Sequence, residues 1–121
     1  NEQGAFYNVF VKRVKKYLAK KAVQIVRSGC SVLLDWGFWT RKERRELTDF
    51  FSEQGIAVEW HYMDIADDQW HRCIEKRNQK IKDGNGGSDF YLDQGLLHKL
   101  MSEFEKPDPG EMDVWLINQN K

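Results

Sequence analysis

The stretch Ser31-Val32-Leu33-Leu34-Asp35-Trp36 decides the fold. Three apolar residues in a row are typical of a parallel strand that is buried on both faces. Asp35 falls at the carboxyl end of this predicted strand, which is the edge where open α/β sheets bind ligands. An aspartate at that edge can hold a metal ion or a reacting hydroxyl, and it can equally cap a nearby loop. The six residues alone leave both roles open.

Helices are predicted on both sides of this strand. Apolar residues at three- and four-residue steps predict an upstream helix over residues 9–28 that ends at Gly29. Its predicted buried face consists of Val11, Val14, Leu18, Ala22 and Ile25. Downstream, Thr40 and Glu43 have the spacing of a capping box, so a second helix is predicted to begin there and to end at Gly55.

The rest of the chain continues the alternation of strands and helices. We predict a strand over residues 56–63, a helix capped by Asp67 or Asp68 that ends near residue 82, a glycine-rich break at 83–88, a helix over 89–104 and a last strand over 113–118. This order predicts the α/β class, with a mainly parallel sheet in a three-layer α/β/α arrangement. Residues 1–121 are predicted to form a single domain.

The charged residues are unevenly distributed, although the formal net charge is zero. Residues 1–30 carry seven Lys and Arg against Glu2 alone, and six of these cations lie within residues 12–21. A basic helix of this kind can bind nucleic acid or another polyanion. More often it is simply a solvated helix face.

The two cysteines, Cys30 and Cys73, lack the spacing of a metal or redox motif and lie among apolar residues. We therefore expect both to be reduced and buried, as in a cytoplasmic protein. The sequence contains no signal peptide and no apolar stretch long enough to span a membrane. No membrane partner is expected.

Two groups of basic residues are candidate anion sites. Arg41, Arg44 and Arg45 open the helix that follows Asp35, and a strand-end carboxylate beside a helix N-terminus is suited to anions and metal ions. Arg72 and Arg77 lie on the third predicted helix, about 140° apart around its axis. Arginine forks match phosphate oxygens. Both groups are also compatible with solvated helix surfaces.

Several catalytic motifs are absent from the sequence. No glycine is followed by lysine, so the chain has no Gly-x-x-x-x-Gly-Lys-Ser/Thr phosphate-binding loop. The histidines His61, His71 and His98 do not have metal-ligand spacing.

Taken in order, the segments resemble the C-terminal two-thirds of small P-loop kinases of the zeta-toxin and polynucleotide-kinase-like group, which are AAA-type ATP-binding proteins. The resemblance covers nearly the whole chain from about Val9. Its segments are 29–38 (the strand that ends on Asp35), 62–68 (a strand followed by a helix start), 72–77 (paired arginines), 104–107 (Phe-Glu-Lys-Pro) and 113–117 (the last strand).

The resemblance implies roles for the candidate site residues. Asp35 matches the acid on the Mg²⁺ or substrate side of the family's cleft, so it is expected to be both the catalytic residue and a metal ligand. Arg72 and Arg77 match lid residues that close over ATP. Arg41, Arg44 or Arg45 is expected to contact the acceptor, a small molecule or a nucleotide. ATP and Mg²⁺ are the implied cofactors.

The resemblance also implies that the N-terminal strands and the phosphate-binding loop of the kinase precede Asn1. Without a loop that holds the β- and γ-phosphates, the chain is expected to be inactive alone. The predicted strands at 31–35 and 56–63 then either pair directly, receive a strand from a second chain, or exchange segments in a domain-swapped homo-oligomer. The alternative function is a non-catalytic module that binds nucleic acid or protein through the basic helix at 12–21.

Overall fold

The computed structural model describes residues 2–119. Within that range the chain forms four α-helices, a short 3-10 helix and two strands. In chain order they are α1 (Glu2–Arg27), α2 (Arg41–Glu53), β1 (His61–Asp64), α3 (Asp67–Lys82), α4 (Gln94–Glu103), the 3-10 helix Pro109–Glu111 and β2 (Val114–Ile117). The predicted α/β class is therefore confirmed.

The sheet consists of β1 and β2 in parallel, with His61 opposite Val114 and Asp64 opposite Ile117. The amide of Asn118 extends the ladder by donating to the carbonyl of Asp64 at 2.7 Å. Parallel neighbours need a crossover connection, which here contains α3 and α4. The first of these strands begins five residues later than the sequence pattern predicts, at His61 rather than at residue 56.

The predicted strand at residues 31–35 is wrong as a sheet strand, because the sheet formed by residues 2–119 contains β1 and β2 alone. Its burial on both faces is also wrong. Val32 and Leu34 pack against the core, whereas the intervening Leu33 is 88% exposed. The three predicted alternatives for pairing of this segment stay predictions. An apolar face alone does not make the segment a strand, because a ladder requires a neighbouring backbone.

The chain divides into two compact units. The first holds Asn1–Gly37 and Arg45–Val58, and the second holds Phe38–Arg44 and Glu59–Lys121. The single-domain organisation of the sequence analysis stays a prediction.

The core of the first unit lies between α1 and α2. Ala19, Ala22, Val23 and Phe51 are buried there, and Val32, Leu34, Leu47, Phe50, Ile56 and Val58 pack around them. The predicted buried face of α1 is partly wrong, because Val14, Leu18 and Ile25 are 38–42% exposed. The helix carries apolar residues around more than half of its circumference, and the periodicity alone does not say which part meets the core.

The helix ends largely follow the sequence signals. Gly29 and Gly55 have φ angles of 96° and 73°, which favour glycine at these C-terminal turns. The capping box of α2 is confirmed, with the Glu43 amide donating to Thr40 Oγ1 at 3.1 Å and the Thr40 amide donating to the Glu43 carboxylate at 3.2 Å. The cap of α3 is Ala66, not an aspartate.

The second unit buries Ile74 of α3 and Leu97 of α4. Helix α4 begins at Gln94, five residues after its predicted start, because the Asn78 side chain binds both the amide and the carbonyl of Leu92 at 2.9 and 2.7 Å. Those bonds keep Leu92 outside the helix. Among the described residues, no helix is long and apolar enough to cross a membrane.

Candidate functional site

Asp35 belongs to the first unit and is exposed at the end of the extended segment. Within residues 2–119 its carboxylate makes no hydrogen bond and no ion pair. The loop that follows is fixed by Lys15 of α1, whose Nζ donates to the carbonyl of Gly37 at 3.0 Å. Asp35 thus presents a free carboxylate on an anchored loop.

Arg44, in the first turn of α2, is buried and binds groups of its own chain. Its Nη1 donates to the carbonyls of Phe38 and Glu105 at 3.0 and 3.1 Å. Its Nε and Nη2 face the Glu111 carboxylate at 3.3 and 3.5 Å. A buried guanidinium is tolerated only when it is paired and hydrogen-bonded in this way. These contacts give Arg44 a positioning role within the second unit.

Arg41 joins Arg44 at the same carboxylate. Its Nε lies 3.6 Å from Glu111, and its Nη2 pairs with Asp108. We refer to Arg41, Arg44, Glu105, Asp108 and Glu111 as the Glu111 cluster. The Asp108 amide and the Arg44 guanidinium hold the pKa of Glu111 below its ordinary value, although partial burial works in the opposite direction. Glu111 therefore remains ionised below the pH at which an exposed glutamate becomes protonated.

Arg45, the third predicted acceptor-binding residue, is exposed and lies in the first unit. The structure thus brings Arg41 and Arg44 together and leaves Arg45 outside their cluster. Arg41 and Arg44 differ in exposure: the Arg41 side chain is 48% exposed, and the Arg44 side chain is 5% exposed. Only Arg41 in the Glu111 cluster offers a guanidinium that a dissolved molecule can reach.

Arg72 and Arg77 lie on α3 with different partners. Arg72 forms an exposed pair with Asp68 at 2.9 Å, and this contact lowers the pKa of Asp68. Arg77 Nη2 reaches the carbonyl of Phe90 at 3.4 Å, and its Nε lies 3.9 Å from Asp89. The Arg77 Nε is buried and has no hydrogen bond within residues 2–119. Arg77 therefore retains an unused donor beside the glycine-rich segment.

Asp64 is a strand-end carboxylate that the sequence analysis did not place in the site. It ends β1, where its Oδ2 accepts from Trp115 Nε1 at 3.2 Å and its Oδ1 lies 3.3 Å from Lys106 Nζ. Burial raises the pKa of the neighbouring Tyr62, and the Asp64 charge raises it further. The sequence pattern that indicated Asp35, an acid directly after an apolar run, also indicates Asp64.

Comparison with known protein families identifies the family of this chain. The sequence matches the family described as AAA domain over residues 1–107. The chain belongs to the AAA domain family. AAA-type domains of this kind are P-loop NTPase-like and bind nucleotide, generally with Mg²⁺. No curated protein and no solved structure matches the chain.

The donor set of this AAA domain is compatible with Mg²⁺ shared with a nucleotide. In the described part of the chain, no three His, Cys, Asp or Glu side chains group into a metal site. Mg²⁺ commonly binds through one or two carboxylates plus water and substrate phosphates, and Asp35 presents one carboxylate without a partner among residues 2–119. Both cysteines are free and exposed, so their predicted burial is wrong.

Proposed function

We propose that this chain is the C-terminal part of an ATP-dependent kinase of the zeta-toxin and polynucleotide-kinase-like group. The observation that carries the proposal is the free carboxylate of Asp35 in an AAA domain, because Asp64, the acid that ends β1, already contacts Lys106 and Trp115. The complete protein is proposed to act in the cytoplasm on a small-molecule or nucleotide acceptor.

Asp35 is the proposed catalytic residue and Mg²⁺ ligand. ATP supplies the phosphoryl group in this reaction. A protein catalyses phosphoryl transfer mainly by positioning the reactants and neutralising charge. A carboxylate that none of residues 2–119 neutralises is suited to hold a cation or to accept the proton of an acceptor hydroxyl.

Arg77 and Arg72 are the proposed ATP-binding residues. The Arg77 side chain is 42% exposed and its Nη2 makes only a long bond to the Phe90 carbonyl, at 3.4 Å, which supports this role because a guanidinium fork matches phosphate oxygens. Arg72 is held only by an exposed pair with Asp68. Exposed pairs of this kind are weak, so a phosphate group can replace the carboxylate at little cost.

Arg41 is the best placed of the three residues predicted to contact the acceptor. Its guanidinium is half exposed, while Arg44 is committed to internal partners. Arg45 is exposed but lies outside the Glu111 cluster. We therefore propose that Arg41 contacts the acceptor and that Arg44 positions the first turn of α2.

Residues 1–121 are not expected to transfer a phosphoryl group by themselves. The sequence has no Gly-Lys pair, and the phosphates of ATP would need a loop of that kind from elsewhere in the protein. The same reasoning requires an in-frame Gly-x-x-x-x-Gly-Lys-Ser/Thr segment in the gene upstream of the codon for Asn1.

Asp35→Asn tests the proposal in the protein encoded by the complete gene. We expect kcat for ATP consumption to fall at least about 100-fold, the size typical of losing a group that acts on the reacting atoms. The matched control is Asp49→Asn, which removes an exposed carboxylate from α2 in the same unit and should leave kcat unchanged. Equal activity of the two variants would contradict the role of Asp35.

A second candidate is a non-catalytic module that binds nucleic acid or protein through residues 12–21. The observation in its favour is the exposure of Arg13, Lys16 and Lys20. At 100° per residue these three cations fall within about 60° on one flank of α1. Lys15, by contrast, is used to hold the loop at Gly37.

A further inference from the structure

We propose that Asn78 is a positioning residue for Arg77 and that it acts through the segment that follows α3. The inference rests on the proposed role of Arg77 in binding ATP, and it identifies what orients the Arg77 guanidinium. We refer to residues 83–92 as the strap, because this segment folds back along α3. Its packing on the helix, its attachment to Asn78 and its contacts with Arg77 carry the inference.

The strap packs closely against the last turns of α3. The Gly84 amide donates to the carbonyl of Ile81 at 3.1 Å, and the Asn85 amide donates to the carbonyl of Lys80 at 2.9 Å. Gly86 then lies so near the helix that an added Cβ atom would be 2.4 Å from Ile81 Cγ1. Glycine at this position therefore allows a close approach of the strap backbone to α3.

Asn78 attaches the far end of the strap to the helix. Its Nδ2 donates to the carbonyl of Leu92 at 2.7 Å, and its Oδ1 accepts from the Leu92 amide at 2.9 Å. One side chain thus satisfies both backbone groups of Leu92, as a neighbouring strand would. The two bonds are partly buried, so loss of the Asn78 side chain leaves both groups without a partner and releases the end of the strap.

The same end of the strap borders one edge of the Arg77 guanidinium. Nη2 donates to the carbonyl of Phe90 at 3.4 Å, and Nε lies 3.9 Å from the Asp89 carboxylate. Within residues 2–119, Nη1 of Arg77 makes no hydrogen bond and no ion pair. The strap therefore directs Nη1 to a phosphate oxygen. An arginine side chain loses much rotamer freedom when it is fixed, so a guanidinium that is already oriented binds phosphate at a lower entropic cost.

Binding of ATP with Mg²⁺ to the protein encoded by the complete gene tests the inference. We expect Asn78→Ala to raise the Kd for ATP at least about tenfold, because the released strap no longer orients Arg77. The matched control is Gln79→Ala, which removes an exposed bond from the adjacent helix position to the strap, from Gln79 Nε2 to Asp83 Oδ1 at 2.9 Å. The control should leave the Kd unchanged. Isothermal titration calorimetry measures both.

A double-mutant cycle shows whether Asn78 acts through Arg77. We expect Arg77→Ala to raise the Kd at least about tenfold, and the double variant Arg77→Ala/Asn78→Ala to bind ATP within about twofold of Arg77→Ala alone. A residue that served folding only would weaken binding by the same factor in both backgrounds. That result, or an unchanged Kd in Arg77→Ala, would overturn the inference.

Gly86→Ala displaces the strap by a second route that leaves Asn78 and Arg77 in place. The added methyl group would push the strap away from Ile81, so we expect the same rise in Kd. This variant decides the question where urea unfolding shows that Asn78→Ala does not fold. An unchanged Kd in Asn78→Ala, or in Gly86→Ala where Asn78→Ala does not fold, would overturn the inference alone. A complete protein that binds no ATP would instead overturn the proposed function and the inference together.

Discussion

At the scale of single residues, the buried guanidinium of Arg44 donates to two backbone carbonyls and faces the Glu111 carboxylate. The sequence shows three arginines in five residues at the start of α2 but cannot distinguish them, because their partners Glu105 and Glu111 lie more than 60 positions away. The identity of the buried arginine depends on that distant segment. Local sequence singled out Asp35 as an acid directly after an apolar run, but the strand end predicted there is absent from the sheet of the described residues.

Removal of the Arg44 side chain should destabilise the protein strongly. In Arg44→Ala the carbonyls of Phe38 and Glu105 lose the Arg44 donor, while the Glu111 carboxylate keeps the Asp108 amide and Arg41, so we expect a loss of about 1–3 kcal/mol. Urea unfolding measures this loss. Arg45→Ala is the matched control, because the neighbouring side chain is exposed and such changes are usually within about 0.5 kcal/mol. Equal unfolding midpoints for both variants would show that the Glu111 cluster does not stabilise the fold.

At the scale of elements, the sequence predicts helices better than strands. Capping residues and glycines at positive φ specify the boundaries of α2 locally. The segment at 31–35 has the composition of a buried strand, yet a strand forms only when another backbone completes its hydrogen bonds. The start of α4 was missed for a similar reason, since the Asn78 side chain that holds Leu92 is 14 residues away.

The exposed basic flank of α1 allows the two candidate functions to be distinguished. We expect a labelled 20-base-pair DNA duplex to bind no tighter than about 10 μM at physiological salt, as in non-specific phosphate contact. Fluorescence anisotropy across a salt series measures this. Submicromolar binding that weakens steeply with salt, and that is lost in the triple variant Arg13→Ser/Lys16→Ser/Lys20→Ser but kept in Lys76→Ser, would favour the binding module instead.

At the scale of the whole molecule, the α/β class and the parallel sheet follow from the alternation of elements, and the AAA domain match supports that interpretation. The division into two units was not predictable, because α2 contributes to both and no glycine- or proline-rich linker marks the boundary.

The central claim is that this chain works as part of an ATP-dependent kinase. That claim concerns the complete protein, since residues 1–121 contain no Gly-Lys loop.

The most direct test is transfer of a radioactive γ-phosphate from ATP. The protein encoded by the complete gene and residues 1–121 alone should be compared at equal concentration, with Mg²⁺ and a panel of sugar, nucleoside and antibiotic acceptors. We predict that the complete protein labels at least one acceptor and that residues 1–121 label none. Failure of the complete protein to consume ATP, or turnover by residues 1–121 alone, would contradict the account.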